Sequence, residues 1–566
     1  MHKTFITAII LMTGALAASG GHPKVDRDLQ KANPESTVDV IIQYKDTPTA
    51  AHHQRIQDRG GRYKRDLSII RGTHYSVPAG SIEELASDPD VVYISPDREV
   101  RGTLDYANAT VGADIAASQF KLDGTGITVA VIDSGITDTN DLSINTPTTM
   151  TSRVVYKYDF TGAGNTDDKY GHGEHVAGII GGNSNASGAL PNKQFMGIAP
   201  NVKFVNLKVL DQNGVGADST VIAAIQKAVS LKKQYNIRII NLSLGRPVHG
   251  SYTVDPLCQA VEAAWKAGIV VVVAAGNSGR DNSQGTFGYA TITAPGNDPY
   301  VITVGAMKTM STAARGDDQI ASYSSKGPTL LDHVVKPDLV APGNRIISVC
   351  SNTGSLLGAY PGNWVPLSYY VPGSTYGGGW MYYKLSGTSM ASPMVSGAVA
   401  LMLQKQPTLT PDQVKARLMK TASKTFPSYT VTSDPATGTQ YTSYYDIFTV
   451  GAGYLDIPAA LRNTDLASGV ALSPAVNLSA AGQVQLVTGT GVVWGTGVSG
   501  AGVVWGTGVV WGTSVMQSTG VVWGTGVVWG TASMQGTGVV WGTGVVWGTT
   551  NQSSAEATQI AILGEN

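Results

Sequence analysis

The chain has 566 residues, a net charge of −1 and 14% charged residues, against about 25% in an ordinary globular protein. At roughly 100–200 residues per domain, that length means several domains or one large core with appendages. The balanced charge excludes both a nucleic-acid binder that relies on a basic field and a highly charged disordered chain, and two cysteines, Cys258 and Cys350, are too few for a disulfide scaffold or a Cys-rich zinc module.

Those two cysteines fit either one bridge or two buried thiols. Residues 1–19 read as a signal peptide. Lys3 supplies the positive end, residues 5–18 the short apolar stretch, and Ala15-Leu16-Ala17 a small-x-small cleavage site. The apolar stretch is shorter than the ~20 residues needed to span a bilayer. Residues 24–105 then hold a small α+β unit, with strands expected at 38–44, 72–77 and 91–95 and helices at 47–59 and 81–87.

From 108 to 463, strands and helices alternate. Runs at 127–132, 202–210, 238–244, 269–275 and 300–304 are almost continuously apolar, as buried parallel strands are. Residues 219–234 place Val221, Ile222, Ile225 and Val229 on one helical face. A helix at 256–267 is closed by Gly268. Residues 390–403 are apolar or small throughout, which predicts a buried helix. Thr410-Pro411-Asp412-Gln413 is a capping box with Pro at the first helical position. The alternation predicts an α/β domain with a parallel sheet, whose chemistry lies beyond the carboxyl ends of the strands.

At those ends stand Asp133-Ser134-Gly135, Ser243-Leu244-Gly245 and Gly276-Asn277. Helices open at Gly171-His172-Gly173-Glu174-His175 and at Gly387-Thr388-Ser389-Met390-Ala391-Ser392-Pro393. Acyl transfer by serine needs an imidazole to take the hydroxyl proton, a buried carboxylate to orient the imidazole, and donors where the oxyanion develops. Ser389, His172 and Asp133 supply the first three groups. The Asn277 amide and the Ser389 backbone N–H supply the donors. Each residue alone is commonplace; their joint occurrence in the order Asp, His, Ser is the signal. His172, Glu174 and His175 also suggest a metal site, but their spacing matches neither His-Glu-x-x-His nor its inverse, so no metal is assigned.

The three segments around Asp133, His172 and Ser389 resemble the signatures of the subtilisin-like serine proteases, and the resemblance covers about 108–461. It implies a subtilisin-like parallel sheet flanked by helices, preceded by a small α+β inhibitory prodomain and followed by a repetitive β-rich or low-complexity tail. It implies polypeptide substrates and no cofactor for the chemistry. Ala275, Gly276 and Asn277 resemble the oxyanion segment. Ser243, Leu244 and Gly245 resemble one substrate-pairing edge, and Gly214 and Gly216 the opposite edge. Phe287-Gly288-Tyr289 resembles the floor of the specificity pocket, where Gly288 would leave a deep cavity. With no acidic residue in these segments, a large apolar or aromatic residue before the scissile bond is expected. Glu174 departs from the family, which usually has Thr there; an anion in a first helical turn is acceptable. A structural calcium is common in the family. Asp141 and Asn185 lie near the corresponding loops, and calcium stays unassigned. Self-cleavage is expected between Arg101 and Ala107.

From Leu466 to Ala555 there is no charged residue, and Val-Val-Trp-Gly-Thr recurs with a period of 18. A stack of short β-rungs and a low-complexity tail are the two readings of 466–566. The functional expectation is a secreted endopeptidase made as a self-processed zymogen. The alternative is an adhesion or wall-attachment protein in which the Trp repeats meet a cell surface or glycan.

Overall fold

The computed structural model describes residues 22–26, 29, 32–96, 106–145, 149–187, 195–283, 285–351, 354–370, 381–434, 437–478, 484–486 and 565, with short strands between 503 and 535. The signal-peptide reading, most of the expected cleavage interval and most of the tail lie outside the described residues. The chain divides into two compact units, 1–100 and 101–566.

The first unit holds β1 (Thr37–Tyr44), α1 (Ala50–Gln57), β2 (Arg62–Leu67), β3 (Gly72–Pro78), α2 (Ile82–Ala86) and β4 (Val91–Pro96). Its sheet is antiparallel in the order β2-β3-β1-β4. Alternate residues of β1 and β3 point inward, so Val40, Ile42, Tyr75 and Val77 form a core with Ile56, Leu85 and Ile94. The sequence did not announce β2, Arg-Tyr-Lys-Arg-Asp-Leu. It is an edge strand whose exposed charges blunt further pairing.

The second unit is built on a sheet of eight strands: β5 (Thr128–Asp133), β6 (Val154–Asp159), β7 (Lys203–Lys208), β8 (Ile237–Leu242), β9 (Val270–Ala274), β10 (Ile302–Lys308), β11 (Gln319–Ile320) and β12 (Leu339–Pro342). The order is β11-β10-β9-β8-β5-β7-β6, with β12 also beside β10. All neighbours are parallel except β10 and β11. The five anticipated strands are present, and β5, β8 and β9 form its buried centre. The mixed, half-exposed β6 lacks that apolar signature, and β12 is apolar but only four residues long, ending in Pro342.

Four helices complete the frame: α3 (Gly173–Gly181), α4 (Asp218–Tyr235), α5 (Pro256–Lys266) and α6 (Thr388–Lys405), followed by α7 (Pro411–Thr421). The buried helix expected at 390–403 is α6, which packs on β8, β9, β10 and α3. Cys258 and Cys350 are two buried free thiols. In the tail, Val503–Val504 pairs with Val521–Val522, Val510–Trp511 with Val528–Trp529 and Met516–Gln517 with Met534–Gln535, all parallel. Each partner lies one repeat period along the chain.

The contact of α6 with the segment before β7 is close enough to test. A Cβ on Gly397 would lie 2.4 Å from the Ile198 Cβ. Alanine gains about 1 kcal/mol over glycine inside a helix, but overpacking a core costs about 1–3 kcal/mol. Gly397→Ala is therefore expected to lower the denaturant midpoint; a raised midpoint would contradict this packing.

Candidate active site

β5 delivers Asp133 at its carboxyl end, and the chain turns there through Gly135 at φ +120°. α3 begins just after His172. Gly173 allows the approach of the two elements, because a Cβ on it would meet the Gly135 carbonyl at 2.4 Å and the Asp133 Cβ at 3.1 Å. The Ser134 hydroxyl accepts the Gly173 N–H at 2.9 Å. In this joint the Asp133 Oδ1 accepts His172 Nδ1–H at 2.7 Å, together with the Ser134 N–H at 2.7 Å. Asp133 is buried, while the His172 ring keeps one accessible edge. Holding Nδ1–H on the carboxylate leaves Nε2 as the proton acceptor.

Burial disfavours the imidazolium. The charge and hydrogen bond of Asp133, with a further contribution from the charge of Asp168, outweigh it, so the pKa of His172 lies above the usual 6.5. Asp168 is a residue the sequence reading missed. Its Oδ1 accepts the N–H groups of Tyr170 and Gly171 at 3.0 and 2.7 Å, and its Oδ2 accepts the Glu174 N–H at 2.9 Å. It anchors the start of α3 as a capping carboxylate does. The signal available was an Asp a few residues before a helix.

Glu174 corrects an expectation. Its side chain is fully buried, and burial plus the charge of Asp168 push its pKa up to about 8. One oxygen accepts the Ser351 N–H. Burial and the charge of Asp133 also raise the pKa of Asp168, opposed by the N–H groups it accepts, and Glu174 is largely protonated at neutral pH. His175 is also buried, and its pKa is lowered by burial to about 3. Its Nε2–H faces the carbonyls of Ile346 and Tyr383 at 3.1 and 3.0 Å, so it is a neutral structural histidine.

Ser389 stands in the first turn of α6. Its hydroxyl donates to the Ser243 carbonyl at 3.1 Å, not to the imidazole. Thr388, also missed in the sequence, ties this turn to the end of β9. Its N–H and hydroxyl donate to the Asn277 Oδ1 at 2.9 and 3.1 Å, and its hydroxyl accepts the Gly276 N–H at 3.1 Å. With its oxygen so occupied, the Asn277 amide presents Nδ2. A Cβ on Gly387 would fall 3.2 Å from that Nδ2 and 3.6 Å from the Ser389 N. The Asn277 Oδ1 lies at 3.6 Å from the same point, so a side chain here would crowd the Asn277 amide, and the φ of +141° favours glycine.

The expected substrate-binding residues divide. Leu244, Gly245 and Gly216 carry main-chain groups with no partner inside the chain among the described residues. Ser243 uses its side chain and carbonyl to hold Ser389 and Ser392. Gly214, at φ +75°, faces the Tyr170 ring, which a Cβ would meet at 2.6 Å. Ala275 and Gly276 use their N–H and C=O within the chain, beside Asn277. Gly288, at φ +80°, lies against the Gly279 backbone, whose carbonyl a Cβ would meet at 1.8 Å.

The calcium expectation also meets its test here. Calcium takes six to eight oxygen ligands. The two Asp141 oxygens instead accept the Ala186 N–H at 2.6 Å and the Tyr382 O–H at 2.7 Å. The Arg153 guanidinium gathers the carbonyls of Asp141, Gly181 and Val202. Asn185 turns its Nδ2, a donor, toward the Ser143 carbonyl. This donor set does not fit a cation. Among the described residues, no cluster of three or more His, Cys, Asp or Glu side chains could hold a metal.

A parallel α/β sheet that gathers a buried Asp–His pair, a serine at a helix start and an amide aimed beside it defines a serine hydrolase. The chain belongs to the subtilase family, whose model matches residues 124–448. It is 37% identical to serine protease AprX of Bacillus subtilis (strain 168) over 65% of this chain and 78% of that protein. It is 32% identical to subtilisin E of the same strain over 68% and 84%. It is 35% identical to an extracellular serine proteinase of Thermus sp. (strain Rt41A) over 62% and 71%. The chain is a serine endopeptidase.

Two pH dependences follow. If His172 must be neutral to accept a proton, the acid limb of kcat/KM is expected above pH 6.5; a limb below that value would contradict the raised pKa. Glu174 holds its proton in the fold up to about pH 8 but ionises near 4.5 when unfolded. Its burial therefore costs increasing stability as pH rises between those values. Glu174→Gln removes that cost. The melting temperature of the variant minus that of the wild type is expected to grow across this interval; a constant difference would contradict it.

Proposed function

We propose that the chain is made as a secreted zymogen and cleaves peptide bonds through Asp133, His172 and Ser389. The observation that carries the reading is the His172 Nδ1–H bond to the buried Asp133 at 2.7 Å, with the Asn277 Oδ1 held by Thr388 so that its Nδ2 and the Ser389 N–H remain as donors beside Ser389. Both donors are fixed before any substrate arrives, which makes them effective for a charge that develops there.

In this reading, the Ser389 hydroxyl leaves the Ser243 carbonyl when substrate binds and turns to His172 Nε2. Such hydrogen bonds are often unformed in the free enzyme. Oγ attacks the peptide carbonyl while Nε2 takes the hydroxyl proton. The carbonyl oxygen becomes an oxyanion between the two donors. Asp133 stabilises the imidazolium through Nδ1–H. The C–N bond breaks as His172 gives its proton to the leaving amine, and an acyl-enzyme remains. Water then repeats the sequence: His172 takes its proton, and Ser389 leaves as the alcohol.

The substrate backbone would lie as an added strand against Leu244–Gly245 on one side and Gly216 on the other, since those main-chain groups are unused. The first unit, with its own sheet and core, would be the inhibitory prodomain. Among the described residues no helix is long and apolar enough to cross a membrane. Export rests on the sequence of residues 1–19. The Trp repeats hold no group for hydrolysis and would serve to localise the enzyme.

In subtilisin, a relative, loss of the serine costs on the order of 10⁶ in turnover, and loss of the oxyanion amide about 10²–10³. The same losses are expected from Ser389→Ala and Asn277→Gly in peptide hydrolysis. Ser389→Ala should also keep its first unit covalently attached when intact mass is measured. Unchanged turnover in Asn277→Gly, or normal processing in Ser389→Ala, would contradict these roles.

A further inference from the structure

One buried side chain has no part in the chemistry above. Glu565 lies beyond the Trp repeats in sequence, yet only 2% of its side chain is exposed. Its carboxylate pairs with Arg280 at 2.9 Å and Lys308 at 3.3 Å, two cations that are themselves 7% and 3% exposed. The Ser322 hydroxyl donates to Oε1, and the Ser322 N–H to Oε2 at 3.2 Å. Asn344 reads the main chain in both directions. Its Nδ2 donates to the Glu565 carbonyl at 2.9 Å, and its Oδ1 accepts the Glu565 N–H at 2.8 Å. Side chain and backbone are both recognised, which a chance surface contact does not do.

The socket is matched to a carboxylate. Arg280 has a second partner in Asp434 at 2.7 Å and lies over the Tyr441 ring. Lys308 has only the Thr432 hydroxyl, at 3.2 Å, besides Glu565 among the described residues. Without Glu565 a buried ammonium is left with no counter-charge, an arrangement a protein interior tolerates poorly.

The socket shares its walls with the oxyanion side of the active site. Arg280 lies three residues after Asn277. Ser322 precedes Tyr323, whose carbonyl accepts the Gly279 N–H at 2.8 Å and whose hydroxyl donates to the Gly343 carbonyl at 3.0 Å. That same Gly343 carbonyl accepts the Gly387 N–H at 2.8 Å, and Asn344 is the next residue. Gly387 is the glycine where a side chain would crowd the Asn277 amide. Arg280, Ser322 and Asn344 are therefore each one to three residues from Asn277 or from a residue hydrogen-bonded to its loop or to Gly387.

We propose that Arg280, Lys308, Ser322 and Asn344 form a receptor for an acidic segment of this same chain, and that Glu565 is a positioning residue which braces the oxyanion site when seated. The peptidase unit would then become fully competent only after the chain beyond the repeats has returned to it. The coupling to catalysis rests on the reading of Ser389 and Asn277 given above; the receptor does not.

The test compares the full chain with Glu565→Gln, which keeps shape and loses charge. Hydrogen exchange followed by mass spectrometry reads the socket, and steady-state kinetics on a peptide substrate reads the coupling. In the wild type, the Glu565 amide should exchange slowly. In Glu565→Gln, exchange should accelerate at 343–345 and 386–388. Its kcat should fall by about tenfold, short of the 10²–10³ for outright loss of a donor, with KM unchanged. A Glu565 amide that exchanges in the wild type as in a free peptide overturns the receptor, whatever the variant does. Unchanged exchange and kcat in a folded variant overturn the positioning role. A wild type inert toward peptides, with the Glu565 amide still protected, would instead overturn the reading of the active site and leave the receptor standing.

Discussion

The hydrogen bond from His172 Nδ1 to Asp133 is made where the end of a central strand meets the start of a helix, and each side of that joint is constrained by it. The two backbones approach so closely that residue 173 has no room for a Cβ. Ser134 closes the gap by accepting the Gly173 N–H. The rest of the unit serves to keep this joint dry on one side and open on the other. Parallel strands bury Asp133, and the loops beyond their carboxyl ends leave one edge of the imidazole accessible. A misplaced Nδ1 would change which nitrogen can accept a proton, so the geometry fixes the tautomer as well as the orientation.

Around that joint the charges are unequal in kind. Asp133, Asp168 and Glu174 bring three carboxyl groups to the start of one helix. Three buried anions so close would repel one another, and the conflict is resolved by leaving Glu174 protonated. Asp168 accepts N–H groups from the helix start, which oppose the rise that burial causes in its pKa. The surviving negative charge supports the imidazolium of His172. A carboxyl in place of a threonine is thus compatible with the chemistry because it is neutral.

Much of this was legible in the sequence. Apolar runs identified β5, β8 and β9, since strands buried on both faces leave no alternation to misread. The segments around Asp133, His172 and Ser389 stood out because small residues flank each one, and tight backbone approaches require that. Thr388 was invisible, because its importance lies in the distant Gly276 N–H and Asn277 amide it reaches, whereas Asp168 left only the weak signal of an Asp ahead of a helix. The close approach of Gly279 to Gly288 was hidden for a related reason: a glycine gives no sign in sequence of which backbone it lies against. The socket of Glu565 joins residues far apart in the chain, a pairing with no local pattern.

Arg153 and Glu565 show how this chain satisfies its own buried polar groups. The guanidinium gathers carbonyls beside Asp141, and the carboxylate neutralises the cations behind the oxyanion loop. The measurement that tests the central claim most directly is mass mapping of a fluorophosphonate adduct on the full chain. One adduct is predicted, on Ser389, formed faster as His172 loses its proton and absent from His172→Ala. An adduct on another residue, or labelling of Ser389 indifferent to His172, would contradict the assignment.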